Sequence, residues 1–72
     1  MRHFNHGDLL IGILKDNQMT KSEFARKAGV SRQLVHHWCN ADALSFKNID
    51  KICETLHIHP YYFLVREYHD KN

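Results

Sequence analysis

The 72 residues of this chain are enough for one small domain and exclude a two-domain enzyme, a repeat array or a barrel. With 43% hydrophobic and 25% charged residues the composition is that of a folded globule rather than a disordered segment, and a formal net charge of +2 selects no partner by itself. Seven histidines are the unusual feature, and they make the charge depend on pH. No stretch approaches the roughly 18 to 20 continuous apolar residues of a membrane span. Residues 1–7 lack the apolar run and small-residue cleavage site of a signal peptide. Cys39 and Cys53 are too few for a disulfide framework and form no C-x-x-C pair, so a reducing cytosol is the expected location.

Apolar residues recur at helical rather than strand spacing, and the pattern predicts five short helices in one all-α domain spanning residues 1–72. Residues 1–6 are expected to be a polar tail in which His3 and His6 are solvated. Gly7 and Asp8 open the first helix, with Leu9, Leu10, Ile13 and Leu14 on one face and Asp8 near its positive end. Asp16 to Gln18 close it. Thr20 and Glu23 have capping-box spacing for a second helix, whose buried side is Phe24, Ala25 and Ala28 while Lys21, Arg26 and Lys27 stay in water. Gly29 suits the left-handed stop of that helix, and Val30 is expected as a buried pivot.

Ser31 caps a third helix over about 32–39, with Leu34, Val35 and Trp38 apolar and Asn40 as an expected left-handed terminator. Residues 41–44 are a connecting loop. Ser45 caps a fourth helix carrying Ile49, Ile52, Cys53 and Leu56 at positions i, i+3, i+4 and i+7. Pro60 suits the first position of a short fifth helix over 61–64, and residues 66–72 read as a solvated tail.

Two helices joined by a short turn containing glycine match a DNA-binding helix-turn-helix, here at about 20–39. Phe24, Ala25, Ala28, Gly29, Val30, Val35 and Trp38 supply its inner set, with Ala25 at the close crossing. Arg32, Gln33, His36 and His37 form the outward face of the third helix, with no acid among them. Charge is placed to match. Residues 1–40 hold six basic against three acidic groups, and residues 41–72 hold four against five.

The stretch from Met19 to Trp38 resembles the helix-turn-helix of phage Cro and lambda-repressor-type regulators, and the likeness continues from Phe46 to Leu64. It implies a compact five-helix, lambda-repressor-like DNA-binding domain whose third helix enters the major groove. Carried over by position, Arg32, Gln33 and His37 are then base readers, with His36 close by. Arginine can donate twice to guanine, and glutamine can pair with adenine. Lys21 and the free amides of its helix start match the family's phosphate clamp, with Thr20, Ser31, Asn40 and Lys47 as further phosphate contacts. Leu34 is left with two readings, contact with a thymine methyl or packing under the second helix. Two positions depart from the family pattern. Leu14 and Cys39 stand where members often pair an arginine with a glutamate, and the 41–44 loop lacks the family's frequent glycine and proline.

Other chemistries fit less well. Cys53 and His57 lie four apart, near His59, but no set supplies four zinc ligands at finger spacing, so no metal or cofactor is expected. Cys39 beside His36 has no third orienting group for nucleophilic catalysis. Tyr61, Tyr62, Phe63, Val65 and Tyr68 exceed what one short helix readily buries; packing against the first helix is one reading of them, and dimer contact is the expected one. The resemblance implies a cytoplasmic, nucleoid-associated, homodimeric regulator of phage or prophage type that binds double-stranded, palindromic operator DNA and blocks transcription. The alternatives are an antitoxin with a toxin partner, and an adaptor that uses the fold to bind protein without DNA.

Overall fold

Asn5, rather than the expected tail, starts the first helix: its side-chain oxygen accepts from the Asp8 amide at 2.7 Å and caps α1 (His6–Asp16). The computed structural model describes residues 5–63. Leu9, Leu10, Ile13 and Leu14 fall on the buried face of α1. The helix ends at Asn17, whose amide group donates to the Ile13 carbonyl at 2.8 Å, and Gln18 turns the chain with φ of 53°.

The second helix, α2 (Lys21–Ala28), has the full capping box: the Glu23 amide donates to Thr20 Oγ1 at 3.1 Å and the Thr20 amide to Glu23 Oε1 at 2.8 Å. The Thr20 N–H is also the main reason the Glu23 carboxyl titrates below its ordinary value. Gly29 ends α2 in the left-handed region, φ 72°, as its position in the sequence predicts. Val30 differs from expectation. It is half-buried and packs against the core's edge instead of acting as a fully buried pivot.

Ser31 Oγ accepts from the Leu34 amide at 3.0 Å and caps α3 (Arg32–Cys39). Asn40 is not a left-handed terminator, because its φ is −103°. It closes the helix with its side chain, donating to the His36 carbonyl at 3.0 Å. The left-handed stop occurs instead at His57, φ 60°, which ends α4 (Phe46–Leu56) after its Ser45 cap. A fifth helix begins at 61–63. Among the described residues there is no strand, and no helix is long and apolar enough to cross a membrane.

Packing centres on α3, which lies against α1 and α2, while α4 packs on α2. Trp38, Phe24, Phe63, Leu10, Ile52, Val35 and Cys53 are the largest fully buried side chains, and the Phe24 and Trp38 rings meet edge to face at 6.3 Å. Leu14 and Cys39 are both buried in this cluster.

The start of α1 holds the 41–44 loop in place. The His6 amide donates to the Asp42 carbonyl at 3.1 Å and the Gly7 amide to the Ala41 carbonyl at 2.9 Å. Both are first-turn amides with no partner inside their own helix. His6, expected in solvent, is buried: its Nδ1 accepts from the Leu44 amide at 2.8 Å, and its ring meets Phe63 edge-on at 5.5 Å. Phe63 is fully buried there, which removes it from the expected dimer contacts.

Candidate nucleic-acid interface

Two capped helix starts decide which side chains reach the surface. The caps at Thr20 and Ser31 fix where α2 and α3 begin, so Lys21 takes the first position of α2 and Arg32 and Gln33 the first two of α3. Val35, Trp38 and Cys39 then turn inward, and Arg32, Gln33, His36 and His37 turn outward and are exposed. Lys21, Arg32, Gln33 and His36 line one open depression across the two helices. None of these four is an acid, and α3 contains none along its length. Such a surface offers donors to an anionic, hydrogen-bonding partner.

The expected core of the motif is largely as read from the sequence. Phe24, Ala25, Ala28, Val35 and Trp38 are buried, and Gly29 takes the positive φ. Leu34 keeps 37% of its area exposed and the rest covered, which is compatible with both of its readings. Thr20 and Ser31 use their side-chain oxygens as cap acceptors, which leaves each hydroxyl hydrogen available to a further acceptor. His37 and Lys47 are exposed and lie apart from the lining of the depression. Tyr61 and Tyr62 are exposed, at 62% and 40%, while Val65 and Tyr68 lie outside the described residues.

Two features were not apparent in the sequence. Lys21 was expected in water but is half-buried, its Nζ 3.3 Å from His36 Nδ1. On the other side of the same ring, Asn40 Nδ2 stands 3.2 Å from Nε2. The four-residue spacing of His36 and Asn40 on one helix was the only sequence signal for this chain of contacts. Phe46 is the second feature. It opens α4 with 69% of its surface exposed.

Among the described residues no three His, Cys, Asp or Glu side chains come together in a way that could hold a metal ion. Both cysteines are free and buried. Burial pushes the Cys39 thiol above its ordinary value and pushes Cys53 up to about 11.

Compared with known families, residues 10–66 match the profile of the Cro/C1-type HTH DNA-binding domain. No curated protein matches the chain as a relative.

Proposed function

The chain belongs to the Cro/C1-type HTH DNA-binding family, and from that premise we propose that it is a sequence-specific regulator that blocks transcription from an operator as a homodimer. The observation that carries this reading is the gathering of Lys21, Arg32, Gln33 and His36 on one depression at the capped starts of α2 and α3. In this reading α3 lies in the major groove. Arg32 donates to guanine O6 and N7, Gln33 pairs with adenine N6 and N7, and His37 reaches a further base edge. The exposed Leu34 offers its methyl groups to a thymine methyl.

Phosphates on either side are held by Lys21, by the free amides at the start of α2, and by the hydroxyls of Thr20 and Ser31. Lys47, exposed in the first turn of α4, supplies a charge to a phosphate further along. The helix-turn-helix face of one copy covers few base pairs, so a two-fold dimer reading two half-sites about one helical turn apart is the economical assembly. Tyr61 and Tyr62 are its expected contacts, since both are exposed beside the buried Phe63.

Substitution at the reading positions tests the proposal. Arg32→Ala and Gln33→Ala each lose about 1–3 kcal/mol of discrimination between the preferred site and a single-base variant of it. Footprints of both variants as tight and as selective as the parent's would remove α3 from the reading role.

A further inference from the structure

We propose that His36 is a positioning residue for the Lys21 ammonium rather than a reader of bases. This rests on the DNA-binding reading and refines it. Both ring nitrogens of His36 face donors, Lys21 Nζ at 3.3 Å from Nδ1 and Asn40 Nδ2 at 3.2 Å from Nε2. An imidazole offers one lone pair in the ring plane, so it can accept from only one of them. Asn40 Nδ2 already donates to the His36 carbonyl at 3.0 Å, which fixes the orientation of that amide. The ammonium is charged and so makes the stronger bond. The lone pair is therefore assigned to Nδ1 and the ring hydrogen to Nε2, where it faces the Asn40 amide without forming a hydrogen bond to it.

Three consequences follow for Lys21. A lysine side chain on a helix start is ordinarily a flexible, hydrated point charge. Here one N–H is tied to a ring on the neighbouring helix, and the two that remain are free for a phosphate. The tie crosses from α2 to α3, so it also holds the phosphate-contacting start of one helix in register with the base-reading start of the other. Finally, the Asn40 amide donates to the His36 carbonyl, which fixes the backbone that carries the ring. For His36 to reach a base edge through Nδ1, the Lys21 contact would have to break.

The two roles leave different marks on binding. A base reader changes the preference at one base pair, whereas a residue acting through a phosphate contact weakens binding to all sequences and flattens the dependence on salt. The test uses fluorescence anisotropy of the full chain with two duplexes of equal length, one enriched by selection from random DNA and one unrelated, over a range of salt concentrations. His36→Ala is expected to weaken both duplexes by the same factor, about three- to tenfold, and to lower the slope of log K against log salt by about 0.9, as one lost phosphate contact does. His36→Asn, whose Oδ1 can replace the Nδ1 acceptor, is expected to restore both affinity and slope. In a Lys21→Met background, His36→Ala is expected to add nothing.

His36 is exposed, so melting curves of the variants should match the parent's and separate this effect from misfolding. A changed base preference with an unchanged slope overturns the proposal, as do full additivity with Lys21→Met or failure of His36→Asn to rescue. Absence of any selected duplex for the parent chain refutes the underlying DNA-binding reading as well, and so is told apart from failure of the His36 assignment alone.

Discussion

At Gly7 the backbone of α1 lies against the end of α3 and the loop that follows. A Cβ there would stand 2.8 Å from the Ala41 carbonyl oxygen and would also meet the Cys39 carbonyl. Both are backbone atoms that cannot swing aside, so Gly7→Ala is expected to push α1 away and weaken the Gly7–Ala41 hydrogen bond. The expected cost is about 1–3 kcal/mol, as for other overpacked sites. Trp38, the only tryptophan in the chain and nearly fully buried, reports it as a lower urea midpoint. An unchanged midpoint would mean that α1 is free to shift. The sequence marked Gly7 only as a helix opener, because the atoms that make it necessary lie more than thirty residues away. His6 was misread for the same reason: its burial depends on Leu44 and Phe63, which no local pattern connects to it.

Helix boundaries, by contrast, were largely legible, since caps are local. Thr20, Ser31 and Ser45 each bond an amide three residues ahead, and that spacing is visible in the sequence. The stops divide into cases. Gly29 and His57 both hold positive φ, but only glycine does so without a steric penalty. Gly29→Ala is therefore expected to lose about 1 kcal/mol, and His57→Gly to gain up to about the same, in paired denaturant titrations. Equal and opposite signs are the expected pattern. A loss at His57 would show that its side chain contributes more than its backbone costs. Asn40 was misassigned because asparagine closes helices in two ways, by its backbone or by its amide group, and the sequence does not distinguish them.

At the scale of the molecule, the fold and the motif were readable because helical periodicity, two capped starts and one glycine stop all describe the same arrangement. The contents of the interface were less so. Which side chains face outward follows from the periodicity of α3. That Lys21 and His36 touch depends on how closely α2 crosses α3, which periodicity leaves undetermined. The expected dimer contacts were the least legible, because Phe63, counted among them, is buried and meets His6 from a distant part of the chain. With Phe63 in the core, Tyr62→Ser is expected to shift the light-scattering mass toward that of the monomer while leaving the melting temperature almost unchanged. A mass equal to the parent's would place the dimer contact elsewhere.

The central claim is that α3 reads duplex DNA in a defined sequence. Selection of bound duplexes from a random pool, followed by sequencing, addresses it most directly. A reading α3 in a two-fold dimer predicts enrichment of an inverted repeat whose half-sites are centred roughly one helical turn, about 10 base pairs, apart. It also predicts that Arg32→Ala and Gln33→Ala relax the preference at different positions within each half-site. A pool that stays random after repeated rounds, or an enriched motif that both variants bind unchanged, would contradict it.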